Sequence, residues 1–175
     1  MGKGLPRSHT RGEFGGGAAK SGVIKFNDVA ITIDGMTGVG FGTAVIGDFP
    51  AGNILFLGCV GYMTVVGTGG QAGLSDTWAG DYSVGTTATT DATLTGTDAD
   101  IVPITELTAA TAEVSPRTRG TQADGALCGV VLDNTDGSLE LNANVLVDDA
   151  DISADGITAT LRGELYIMYA VLGDD

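Results

Sequence analysis

Positive charge is scarce in this chain: eight Lys and Arg stand against 22 Asp and Glu, a formal net charge of −14. A surface that holds nucleic acid or an anionic bilayer needs cations to displace counterions, so neither partner is expected. Histidine occurs once, as His9, and tryptophan once, as Trp78. A Ser–His–Asp or Cys–His arrangement would depend on that single residue near the N-terminus, and a glycan-cleaving cleft would have little aromatic platform to draw on. The chain therefore reads as a non-enzyme. Cysteine is limited to Cys59 and Cys128, both in apolar, strand-like segments, where reduced, buried thiols are expected. Two isolated Cys and one distant His make no zinc site, and no metal or cofactor is expected. The longest apolar run, residues 54–66, includes two glycines and falls short of the roughly 18 residues a membrane helix needs. The N-terminus lacks the apolar stretch of a secretory signal. Few Lys, Glu, Gln or Leu recur at helical spacing, which leaves few places for a helix.

Glycine, threonine, valine and aspartate are abundant instead, with 29 Gly separating short apolar runs. That is the composition of an all-β domain. Two segments carry the clearest period of two: Leu139 to Val147 and Ile157 to Leu172. They flank the acidic connection Asp148–Asp155 and are expected to be neighbouring antiparallel strands. Val23–Phe26, Val29–Ile33, Gly40–Ile46, Ile54–Val66, Trp78–Gly85 and Leu127–Leu132 supply further strands, and a strand and loop are expected over Thr86–Asp100. Ile104–Val114, after Pro103 and rich in alanine, is the one expected helix, and Ser115–Asp124 an expected loop. A straight strand over residues 157–172 would be too long for a small domain, so a bulge or bend is expected at Gly163. About eight to ten strands fit an antiparallel β-sandwich, jelly-roll-like.

Residues 1–22 differ from the rest. They hold seven glycines, no periodicity and half of the cations, and read as an extended basic arm attached to a β-sandwich domain over residues 23–175. Residues 1–25 carry a balance of +4, whereas residues 26–175 carry −18. Lys3, Arg7, Arg11 and Lys20, with the apolar anchors Leu5 and Phe14, are the expected contact residues of the arm. Arg117 and Arg119 are two more cations on an acidic body, placed to pair internally or to meet a partner's carboxylates. Gly15–Ser21 resembles a phosphate-binding loop only superficially: Phe14 and Ala19 stand where glycines are needed, and a β-run follows rather than a helix. Asp133–Ser138 and Asp148–Gly156 cluster carboxylates in turns, but neither has a calcium-loop spacing, and solvated turn residues are expected.

The arm with Gly15–Gly17, the segments GDFPAGNILFLGCVGYMTV and SVGTTATTDATLTGTDADIVPITELTAAT, and the ending NANVLVDDADISADGITATLRGELYIMYAVLGD resemble the small capsid cement or decoration proteins of tailed bacteriophages. The resemblance covers most of residues 23–173. It implies a structural virion protein on the outer surface of a capsid, with the phage major capsid protein as partner and copies of itself in a homotrimer. It implies contact roles for the arm and for Arg117 and Arg119, and no catalytic residue. The competing expectation is a virion-surface or tail-associated module that recognises host glycans, with an exposed aromatic patch around Trp78 and Tyr82.

Overall fold

The structure, a computed structural model, describes residues 20–35, 38–67, 73–75, 78–107, 117–119 and 129–172. Nine strands occur among them: β1 (Lys20–Ile33), β2 (Gly40–Asp48), β3 (Gly52–Gly67), β4 (Gly80–Gly85), β5 (Val102–Leu107), β6 (Arg117–Arg119), β7 (Val131–Asn134), β8 (Glu140–Val147) and β9 (Ile157–Val171). They form two antiparallel sheets. Sheet A runs β1-β9-β3-β6, with β7 also on β3, and sheet B runs β2-β8-β4-β5.

The pairings explain the architecture. β1 pairs with β9, β2 with β8, β3 with both β6 and β7, and β4 with β5, so the chain is one long hairpin that doubles back between β4 and β5. Two further pairings, β3 with β9 and β4 with β8, roll that hairpin into two facing sheets. β6 and β7 pair with different parts of β3 and together fill one strand position. This eight-position order is a jelly roll.

Between the sheets lies a single apolar layer. Ile31 and Ile33 of β1, Phe56 of β3, Tyr82 of β4, Leu107 of β5, Val145 of β8 and Leu161 and Leu165 of β9 are all buried there. Each large side chain contributes about 1.5–3 kcal/mol relative to exposure. Phe49 closes one end, edge-on to Phe56 and Tyr169 at ring separations of 6.5 and 6.1 Å.

Sheet B is covered on its outside as well. Residues 86–100 lie over β8, pinned by Asn144. Its side-chain NH2 donates to the carbonyls of Thr87 (3.1 Å) and Asp98 (2.9 Å), and its side-chain oxygen accepts the Thr89 N–H (2.9 Å). Ser83 Oγ donates to the Asp98 carbonyl, and Asp100 accepts both N–H and O–H from Thr86. As a result β8 is buried on both faces from Leu141 to Val147, although its sequence alternates.

Three expectations are corrected. β8 and β9 are not neighbours; each is the central strand of a different sheet, with two partners of its own. Alternation reports which face a residue occupies and is silent about which strand lies beside it. Residues 104–107 are not helical but belong to β5, where pairing with β4 outweighs local propensity; residues 108–114 lie outside the described ones. Pro103 sits where the β4–β5 register slips, on an edge strand that has no need of its missing N–H. Arg117–Arg119, expected in a loop, form β6.

The irregularity foreseen at Gly163 is carried by its partner. β1 slips register between Phe26, which faces Gly163, and Val29. Asp28 in that bulge has φ of 56°, a left-handed conformation that Asp tolerates better than most residues, and its carboxylate pairs with Arg162 of β9.

Candidate functional site

The outer face of sheet A differs in kind from that of sheet B. In β9 the odd positions from Ile157 to Ile167 point into the core, so Arg162, Glu164, Tyr166 and Met168 face outward. Direct cross-strand partners share a face, and those partners are Lys25 of β1 for Glu164 and Val23 for Tyr166. On β3 the register continues to Tyr62 and Val60, and from there to Arg117 and Arg119 of β6. Two rows therefore cross from β1 to β9 on the outer face: Val23 with Tyr166, and beside it Lys25 with Glu164.

Val23, Tyr166 and Met168 remain 43–46% exposed, and Val131 and Leu172 at the far end of the same sheet are half exposed. Polar contacts run between these apolar side chains. Lys25 Nζ lies 3.0 Å from Glu164, and the Tyr166 hydroxyl donates to the other Glu164 oxygen at 2.8 Å. The hydrogen bonds from Lys25 and then Tyr166 hold the Glu164 carboxyl below the usual range. This lattice fixes the long side chains across the sheet while leaving their apolar flanks accessible.

Of the residues singled out in the sequence, Lys20 is exposed at the start of β1, opposite Tyr169. The backbones of Arg117 and Arg119 stand in one edge strand of the same sheet. Lys3, Leu5, Arg7, Arg11, Phe14 and His9 lie outside the described residues. Val23, Tyr166 and Met168 were not singled out in the sequence, because outward positions of an alternating strand read as a solvated face. A signal was there: three of those positions hold Val, Tyr and Met rather than charges.

The acidic turns serve local structure. Asp133 accepts from Thr135 and Asp136 from Ser138, each through N–H and O–H, which holds both carboxyls below their ordinary range. Asp151 caps the Ala79 N–H and Asp155 that of Gly35. Among the described residues no group of three His, Cys, Asp or Glu is placed to hold a metal ion. Cys59 is buried, and its Sγ lies 3.3 Å from the Ile101 carbonyl; Cys128 is outside the described residues. Trp78 and Tyr82 are buried in the core, so the aromatic platform expected for glycan recognition does not exist there.

No protein-family model and no curated protein matches the chain. Solved structures do. A structure of the infectious bursal disease virus Gx strain is 12% identical, with a TM-score of 0.36, over 86% of this chain and 32% of that one. The T13 particle of the same virus gives 14% and 0.39, over 86% and 31%. Its VP2 subviral particle gives 11% and 0.34, over 86% and 32%. This chain spans about a third of the length of those chains. The jelly-roll topology rests on the strand order of the chain itself.

Proposed function

We propose that this chain is a structural virion protein that binds the outer surface of a phage capsid and stabilises the coat-protein lattice. The observation that carries this reading is the separation of charge. A leader with Lys3, Arg7 and Arg11, and with Leu5 and Phe14 as apolar anchors, continues into an edge strand of a jelly roll whose remainder is strongly acidic. Such a molecule is suited to contact rather than chemistry: the leader meets acidic surface, the apolar anchors bury area, and repetition over a symmetric shell multiplies modest single contacts. The acidic body keeps coated particles dispersed. The partners are the phage major capsid protein and further copies of this chain, as a homotrimer. The resemblance to decoration proteins in segment order points the same way.

The test is cosedimentation of the purified full chain with expanded capsid shells of the phage that encodes it. Binding that saturates at a fixed ratio to coat subunits, with shells that resist heat longer when coated, supports the proposal. Shells that neither bind the chain nor gain heat resistance overturn it.

A further inference from the structure

Two turns at one end of the sandwich hold each other. Asp34–Gly35 follows β1 and Asp155–Gly156 precedes β9, and the direct pairing of Ile33 with Ile157 brings them side by side. The Gly35 N–H donates to Asp155 Oδ1 at 2.8 Å, and the Gly156 N–H donates to Asp34 Oδ1 at 3.3 Å. Each carboxylate is thus turned to the other turn's glycine nitrogen. Both turns are also fixed from behind. Asp34 exchanges two backbone hydrogen bonds with Phe41, at 2.9 and 2.8 Å. The connection before Asp155 is tied to residues 73–75, where the Ser153 N–H donates to the Gly73 carbonyl and Leu74 bridges Ile152.

An Asp–Gly pair carries a chemical liability, because no side chain shields the glycine nitrogen. That nitrogen can attack Cγ of the protonated aspartate before it. The N–Cγ bond forms, the carboxyl hydroxyl leaves as water with the nitrogen's proton, and a cyclic imide remains. Water then reopens the ring, at Cγ to restore aspartate or at the main-chain carbonyl to give isoaspartate, whose backbone runs through Cβ. Nothing is oxidised or reduced. Attack needs the nitrogen and its own neighbour's carboxyl to face each other, and here both are committed across the two turns.

We propose that these turns form a reciprocal clasp that keeps both Asp–Gly pairs from cyclising, with Asp155 as the residue at which isoaspartate first forms. The order follows from the two halves of the clasp. Gly35 has the shorter bond and lies so close to the Gly40 backbone that a Cβ would overlap it, whereas Gly156 has the longer bond and open space around it. The rate in the folded chain is the rate in the open turn multiplied by the fraction of time the clasp is open. Isoaspartate at 155 adds a backbone atom just before β9 begins, which displaces the Gly156 N–H and releases Asp34 in turn. The third Asp–Gly pair among the described residues, Asp136–Gly137, is tied within its own turn, the Gly137 N–H to the Asn134 carbonyl and Asp136 to Ser138. It serves as an internal control.

The purified full chain is aged in neutral buffer, folded and in urea, and isoaspartate at each pair is read by peptide mapping with fragmentation. In the folded chain Asp34 and Asp155 are expected to convert more slowly than in urea, with Asp155 ahead of Asp34. Asp34→Ala removes the acceptor from the Gly156 N–H and is expected to speed conversion at Asp155 about fivefold, the ratio that one hydrogen bond of ordinary net strength represents. Asp155→Ala is expected to do the same at Asp34. Conversion at Asp136 should stay unchanged in both, which marks the variants as folded. Equal rates in the folded chain and in urea overturn the inference without any variant, and so does conversion that neither variant alters. Asp34 converting ahead of Asp155 overturns the assignment of the first site. A variant in which Asp136 accelerates as well has unfolded, and the comparison of the folded chain with urea then decides.

Discussion

Asp81 of β4 and Glu106 of β5 stand directly opposite one another, and Asp148 lines the same surface cavity of about 230 Å³. Like charges in direct cross-strand register oppose pairing. Partial burial pushes the Asp81 carboxyl above its ordinary range, with Asp148 and then Glu106 adding to the rise. A folded-state pKa above the unfolded one means that the folded chain binds the proton more readily. This carboxylate therefore costs stability above its raised pKa, and the cost fades as pH falls through that value toward the ordinary one near 3.8. Asp81→Asn is expected to stabilise the chain at pH 7 by about 0.2–1 kcal/mol, with the gain shrinking toward pH 4. Urea unfolding at the two pH values measures it; a destabilised variant at pH 7 would contradict the assignment.

Asn144 is fully buried and gives both ends of its amide to the segment that covers sheet B. Asn144→Ala strands the Thr87 carbonyl and the Thr89 N–H beneath that segment and leaves the Asp98 carbonyl the Ser83 hydroxyl. At about 1–3 kcal/mol for a buried polar group left without a partner, a loss of at least 2 kcal/mol in chemical denaturation is expected. Faster amide exchange at Thr89 should accompany it.

How much of this was legible beforehand follows from what each signal measures. The period of two in residues 157–167 located β9 and its inward face, since Leu161, Leu165 and Ile167 are buried as the alternation requires. The same signal misled for β8: Asn142 and Asn144 read as outward polar residues, and both are buried, Asn144 bonded to residues 86–100. No local pattern announces that a segment some fifty positions away will cover a strand. Strand order was equally hidden, because β9 is flanked by β1 and β3, both remote in sequence. The helix expected from Ala109, Ala110 and Ala112 ignored the β-branched Val102, Ile104 and Thr105 at its start, which favour the edge strand found there. For the contact surface, counting charge identified the cations. Only the register showed that Lys25, Arg117, Arg119 and Arg162 belong to one sheet.

Gly42 of β2 lies directly against β1 of the facing sheet. A side chain there would overlap the Thr32 carbonyl oxygen of β1 and press on Ile31 and Ile33. The Thr32 oxygen is backbone, which prevents easy relief. Gly42→Ala is expected to cost about 1–3 kcal/mol, the range for overpacking a filled interior. The corresponding change at Gly96, whose surroundings are open, tests backbone conformation alone, since its φ is +59°. A smaller thermal shift at Gly96 than at Gly42 is the result to look for.

Removal of residues 1–19 separates anchoring from folding. Pairing of β1 with β9 begins at Lys20 opposite Tyr169, and the buried core starts within β1 at Ile31, so the described fold loses no strand and no core residue. Stability should stay within about 0.5 kcal/mol of the full chain, the usual range for changes away from packed or hydrogen-bonded features. Cosedimentation with capsid shells should fall about tenfold or more, since Lys3, Arg7 and Arg11 and the anchors Leu5 and Phe14 are gone. A shortened chain that still coats shells as well as the full one would move the particle contact from the leader to the body, and Arg117 and Arg119 would be the next residues to replace.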